Sequence, residues 1–365
     1  MINRVLKLQK KIKDNNYYLI TNPVNFSYLL NLNYNLQEKE AYLLISKNEA
    51  YLITPLMLIN YYKNLCNKNK IKLKTITNKF KLFEFLKDKS NEGQTKIIID
   101  KLSITLTEFQ ILKKYLTNKL KIGTDPTENL RQIKDETEID NIEKAQKLTA
   151  KILAKSIRFL KNNWHKNISE DDLACYIAET AAKYNCPKLS FDPVVASGIN
   201  STNPHHRPEQ KIIKSGVLLI DLGVNYNGYC SDLTRTFFIG EPDSEFKTIY
   251  DIVLKTLSAC RNKAKTAKNL YDLHTEAVKL FSKHNLSQYF IHSIGHGVGR
   301  QIHELPFADK KDKNNLTENT VFTLEPAVYL KNKFGIRIED IIIKTKILKE
   351  IRSYPKNLND IIIKL

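Results

Sequence analysis

Long apolar runs are missing from this sequence. None approaches the ~18 residues of a membrane-crossing helix, so no helical span is expected. Cysteine is sparse and unpatterned: Cys66, Cys175, Cys186, Cys230 and Cys260 are five, an odd number, and form no C-x-x-C. This excludes a disulfide framework and a thiolate zinc site, and leaves reduced core or surface thiols. No internal repeat of short period is present. The start, MINRVLKLQKKIKDNN, has the spacing of a surface helix without a signal peptide's uninterrupted apolar segment or small-residue cleavage site. A cytoplasmic location is therefore expected.

What is present is a chain of 365 residues, 42% hydrophobic, enough to bury a large core and long enough to favour two domains. The net charge of +19 comes mostly from lysine spread along the whole length. A nucleic-acid footprint concentrates charge on one face or interleaves it with aromatics, and neither is visible, so the lysines read as a solvated surface with no specific nucleic-acid partner.

Residues 16–54 alternate apolar runs (YYLI, AYLLI, AYLIT) with turn-like Asn, Pro and Lys-Asn-Glu segments, which predicts strands of one sheet. Helices are expected around 56–67, 79–88 and 105–118, with a strand at 96–100. Strands alternating with helices describe a small α/β domain over 1–124, lacking a Gly-rich phosphate loop or a His/Cys cluster, suited to a lid or an assembly surface. The second domain, 125–365, follows the Gly123–Pro126 break. Asp135 and Glu138 form a capping-box pattern opening a long helix with Ile139, Ile142, Ala145, Leu148, Ile152 and Ile157 on one stripe. A second helix is expected from Ser169, and two more at about 244–264 and 270–285.

Residues 217–239, VLLIDLGVNYNGYCSDLTRTFFI, read as a hairpin about the Asn227-Gly228 step. With Tyr226 and Tyr229 flanking the turn, Val224 faces Ser231 and Gly223 faces Asp232. Asp221 then lies diagonal to Asp232 on the same face, at roughly 7–8 Å between backbones. Like charges on an apolar hairpin repel and resist desolvation unless a cation lies between them. An isolated pair of this kind more often caps turns, so the rest of the chain decides. His296 sits between glycines that permit close backbone approach. Glu325 and Glu339 lie in runs that a hairpin about Asn332 would set opposite each other, again unattractive without a cation. Two Asp, two Glu and one His offer enough ligands for two divalent ions sharing a water of lowered pKa. Oxygen ligands with one imidazole suit Mn, Co, Fe or Zn.

IDLG, SDLTRT, GHGVG, TLEP and RIED occur in this order, and the set resembles the pita-bread metallopeptidases: Xaa-Pro aminopeptidase, prolidase and methionine aminopeptidase. The resemblance covers 125–345 strongly. Asn22-Pro-Val-Asn25, Tyr28-Leu29 and the linker Leu130–Asp135 with Glu138-Ile139 are similar to the proline-directed branch, whose members carry a creatinase-like amino-terminal α/β domain. The resemblance implies a carboxy-terminal pita-bread fold (α/β, α+β) with Asp221, Asp232, His296, Glu325 and Glu339 as metal ligands. It also implies a pocket histidine at His205, carbonyl-orienting histidines at His292 and His303, and an arginine near the ligands at Arg337. Two divalent ions are implied, manganese first, and a homodimer acting on small peptides with proline in second position. An activated water attacks the carbonyl before the proline nitrogen while cations and histidines stabilise the oxyanion, and Glu325 shuttles the proton to the leaving amine. Proline's ring demands a shaped apolar slot. His206, His165, His274 and His284 read as packing or surface residues, and Cys230 as packing. Ala327 stands where many relatives carry glycine, and Arg300 in GHGVGRQIHE resembles methionine aminopeptidases more than prolidases, which bears on substrate preference. Aminopeptidase and dipeptidase remain alternatives; a metal-free creatinase-like hydrolase or a binding module fits less well, since such relatives lack several ligands.

Overall fold

Three apolar runs near the amino end pair as expected. In the computed structural model, which describes residues 3–92, 95–186, 188–312, 314–346, 348–351 and 353–365, Tyr17–Ile20, Tyr42–Ile45 and Ala50–Pro55 are neighbours in a six-stranded sheet. Ile97–Asp100 joins parallel to Tyr17–Ile20. Alternation along these strands feeds two cores. Leu43, Ile45 and Leu52 pack with Phe26, Tyr62 and Cys66 on one face. Leu44, Tyr51 and Ile53 pack with Leu82, Leu86, Leu112 and Leu116 on the other.

Two strands and a helix differ from the expectation. Lys72–Ile76 and Leu120–Gly123 are the sheet's edges, mostly exposed or half-buried, so they carry no apolar signature, and their lysines suit an unpaired edge. Pro23–Leu29, expected as turn, is helical: the Asn22 side chain accepts from the Val24 and Asn25 N–H groups, and Pro23 occupies the first turn, where its missing N–H costs nothing.

The chain divides into two compact units, Met1–Arg131 and Gln132–Leu365. The first continues through the Gly123–Pro126 break because Asp125 accepts from Asn25 Nδ2 (2.7 Å), whose Oδ1 accepts from Arg131 Nη1 (2.6 Å).

In the second unit capping boxes at Asp135 and Ser169 open helices Glu136–Asn162 and Glu170–Lys183. With helices Ser244–Lys263 and Leu270–Ser282 they bury their apolar stripes in one core against the sheets. No helix of the described residues is long and apolar enough to cross a membrane. The central hairpin pairs Gly216–Leu222 with Leu233–Ile239, Asp221 opposite Thr234. The register persists to the turn: the Ser231 N–H donates to the Val224 carbonyl at 3.0 Å, and Asn227 and Gly228 take φ of 50° and 81°. Val194–Ser197 flanks this hairpin, Val194 opposite Asp221.

The second hairpin is centred on Asn332 (φ 63°), pairing Ala327–Leu330 with Phe334–Arg337 and, farther along, Leu324 with Asp340. One register runs through both ladders, which puts Glu325 opposite Glu339. Pro326, without an N–H, interrupts it. There the Glu339 N–H turns to the Thr234 carbonyl (3.1 Å), stitching the two hairpins together.

Gly335 lets the turn at Gly198–Thr202 approach this hairpin: a Cβ there would lie 2.0 Å from the Ser201 carbonyl oxygen. Gly335→Ala should therefore cost about 1–3 kcal/mol, the usual range for overpacking. Thermal unfolding reads this, and an unchanged midpoint would contradict the packing.

Candidate metal centre

The two hairpins and the segment around His296 meet at a cavity of ≈ 580 Å³ within the second unit. Asp221, Asp232, His296, Glu325 and Glu339 line it, with His205, His292, His303 and Arg337. His296 Nε2 lies 3.6 Å from both Asp232 Oδ2 and Glu325 Oε1. One ligand atom each of Asp232, His296 and Glu339 falls within 4.8 Å of the others.

The local backbone explains the convergence. A Cβ at Gly295 would meet the Thr323 carbonyl oxygen at 2.1 Å, and one at Gly297 the Leu305 carbonyl oxygen at 2.2 Å, so only glycine fits on either side of His296. The Nδ1–H of His296 donates to the Gly297 carbonyl (3.2 Å), which leaves Nε2 with a lone pair facing the carboxylates. Gln146, on the long helix, clamps the main chain of Asp232 from both sides: its Nε2 donates to the carbonyl at 2.8 Å and its Oε1 accepts from the N–H at 3.2 Å.

Arg337 brings a positive charge to the ligand set. Its Nη2 donates to Asp221 Oδ2 (2.7 Å) and its Nε to Thr234 Oγ1 (3.0 Å), whose own proton goes to Glu339 Oε2 (2.7 Å). Its Nη1 donates to the Tyr329 hydroxyl at 2.6 Å. That hydroxyl lies 3.0 Å from His292 Nε2, while His292 Nδ1–H donates to the Ser293 carbonyl at 2.7 Å, so Tyr329 is the donor to His292. Tyr329, Thr234 and Gln146 were not anticipated. For Tyr329 a signal existed: it shares the Glu325 face of its strand, two alternations along. His303 packs edge-on against His296, ring centroids 4.2 Å apart.

Two further residues are placed by the structure. His206, assigned to packing, is buried but lines the cavity. Arg300 lies outside the cavity lining, buried over the Tyr229 ring (5.1 Å) in space that Gly228 leaves open. Cys230 is buried beside it as expected, its thiol pushed up to about 11 by burial.

Burial first, and then mutual repulsion, pushes Asp232, Glu325 and Glu339 out of the carboxylate range. Asp232 rises well above it under burial and the charges of Glu339, Asp221 and Glu325. Glu339 does so under burial and the charges of Glu325 and Asp221. Glu325 is pushed up to about 8 by burial against the opposing pull of Arg337. Burial also lowers His296 to about 3 and His292 to about 4. One oxygen, Asp221 Oδ1, is buried with no hydrogen-bond partner among the described residues. An orphaned carboxylate oxygen, repelling acids and a neutral imidazole with a free Nε2 fit divalent cations, which would replace the protons these groups otherwise retain.

The linkage has a definite sign. In the metal-free protein Asp232, Glu325 and Glu339 hold protons more tightly folded than unfolded, so their contribution to stability is present at low pH and lost as pH rises, through about 8 for Glu325. His292 and His296 act oppositely, but only below their ordinary 6.5. From pH 6.5 to about 8.5 the carboxylates act alone, and the metal-free chain should melt at progressively lower temperature across that window. Saturating divalent metal should remove the slope; a metal-free midpoint that stays flat or rises would contradict the assignment.

The model of metallopeptidase family M24 matches residues 140–346. An uncharacterized peptidase of Staphylococcus epidermidis is 32% identical over 331 residues, 90% of this chain and 91% of its own. Further peptidase relatives, 37% identical, align over 60–64% of this chain and 61–67% of theirs. Among solved structures, a prolidase from Thermococcus sibiricus matches with TM-score 0.83 and 29% identity over 100% of both chains. An X-Pro aminopeptidase from Thermotoga maritima matches with TM-score 0.82 and 26% identity over 98% of this chain and 100% of its own. With four carboxylates from its two hairpins and the His296 imidazole lining one cavity, the chain belongs to metallopeptidase family M24 and has its pita-bread fold.

Proposed function

We propose that this protein is a dinuclear-metal exopeptidase that hydrolyses the Xaa-Pro bond at the amino end of small peptides. The observation that carries this reading is the set of buried, mutually repelling carboxylates with one imidazole on the wall of a cavity of ≈ 580 Å³, a size suited to a short peptide. Asp221, Asp232, His296, Glu325 and Glu339 would hold the ions, manganese first, with cobalt, zinc or iron as substitutes. Bound there, the metal supplies Lewis-acid charge and lowers the pKa of water.

The chain's own groups do the rest. Arg337 fixes Asp221 directly and Glu339 through Thr234. Glu325, on the cavity wall, would take a proton from the attacking water and return it to the leaving amine. His292, held by Tyr329, and His303, packed on His296, would flank the scissile carbonyl, with His205 also lining the cavity. Phe191, Pro193, Ile302 and Phe307 supply apolar wall for the proline ring. The first compact unit, residues 1–131, would be the creatinase-like domain and the second, 132–365, the catalytic one, in a cytoplasmic homodimer.

A dipeptidase is the second reading, favoured by the prolidase likeness at 29% identity over the full chain. Product analysis separates the two. Release of glycine from Gly-Pro-Xaa marks an aminopeptidase, whereas cleavage of Gly-Pro alone marks a dipeptidase. Activity on both should vanish with chelator and return with manganese; a chain inert to every proline peptide after supply of manganese, cobalt and zinc would end the proposal. Glu325→Gln should lower kcat by roughly 10²–10⁴-fold, the range for loss of a general acid–base group, and a kcat within twofold of wild type would remove Glu325 from that role.

A further inference from the structure

The cavity wall that carries His205 is held by a residue that does not line the cavity. Glu170, the first residue of its helix, is fully buried. Its Oε1 accepts from the Ser197 N–H (2.6 Å) and the Ser197 hydroxyl (2.9 Å), at the end of the strand beside Asp221. Its Oε2 accepts from His206 Nε2–H (2.7 Å) and the Glu209 N–H (3.3 Å), while Asn200 Nδ2 reaches both oxygens at 3.1 Å. Every partner is a donor, so the carboxylate is matched as an anion, and the helix amino terminus favours that charge.

On the other side of His205, Pro204 is held by Arg337, whose Nη1 donates to its carbonyl at 3.2 Å. His205 itself has a backbone N–H bonded to Asn203 Oδ1 (3.2 Å), and its ring has no hydrogen-bond partner among the described residues. Its place is therefore set by its two neighbours in sequence: Pro204 braced to the metal-ligand network, His206 braced to Glu170.

We infer that Glu170 is the positioning residue for His205, acting through His206 and the main chain of 197–209. Ligand atoms of Glu170, His206 and Glu209 also fall within 4.8 Å of one another. No cation is needed there: five groups already donate to Glu170, and Glu209 is exposed.

The test is Glu170→Gln. An amide presents one acceptor and one donor, so it satisfies the Ser197 side or the His206 side but not both. In ¹⁵N-histidine spectra of the full chain, with and without zinc, the His205 ring signals should shift or broaden while the melting temperature changes little. Should that variant fail to fold, His206→Ala removes the histidine's contact with Glu170 and should move the same signals. The kinetic arm rests on the proposed peptidase activity. Glu170→Gln should lower kcat/KM for Gly-Pro roughly tenfold through misplacement, and the same change added to His205→Ala should cost less than about twofold further. Unmoved His205 signals, or losses that multiply in the double variant, overturn the inference. If the wild-type chain cuts no proline peptide, the proposed activity falls, whereas the His205 signals still decide the placement.

Discussion

Four carboxylates facing one cavity, Asp232 and Glu339 buried and Asp221 and Glu325 half-buried, are the constraint on which the second unit depends. Arg337 sets a positive charge among them, bonded to Asp221 and, through Thr234, to Glu339. It does not suffice: Glu325 still rises to about 8, and Asp232 and Glu339 stand well above the ordinary range. A fold that holds like charges in this way must be tied together elsewhere. Here the tie is main chain to main chain and side chain to main chain between the two hairpins, Glu339 N–H to Thr234 and Thr236 Oγ1 to the Arg337 carbonyl. Arg235 adds to it, fully buried, with Nη1 on the Glu339 carbonyl at 2.6 Å and Nη2 on Asp340 Oδ1 at 2.7 Å.

The parts of this arrangement legible in the sequence are those decided by local chemistry. Asn227-Gly228 and Asn332 take positive φ, and a turn centred there leaves one register for the strands on either side. Once the register is set, alternation alone brings Asp221 and Asp232 to one face and Glu325 opposite Glu339. The capping boxes at Asp135 and Ser169 are equally local, as are the glycines beside His296.

What stayed hidden depends on partners far along the chain. Gln146 clamps Asp232 across 86 positions and Thr234 bonds Glu339 across 105; neither Gln nor Thr in a helix or strand signals a ligand brace. Glu170 looks like an ordinary acidic residue in a helix's first turn, and only the folded chain brings Ser197, Asn200 and His206 to it. The edge strands at Lys72–Ile76 and Leu120–Gly123 are mostly solvated and so lack apolar patterning. The Pro23–Leu29 helix is short enough for a proline to disguise it as a turn, although Asn22 caps it.

Calorimetric titration of manganese into the chelator-stripped chain, in two buffers of different ionisation enthalpy, tests the cation site most directly. Two ions bound per chain, with protons released as they enter, is the expected result. No binding, or binding unchanged by Asp232→Asn and Glu339→Gln, would contradict the placing of metal among these carboxylates.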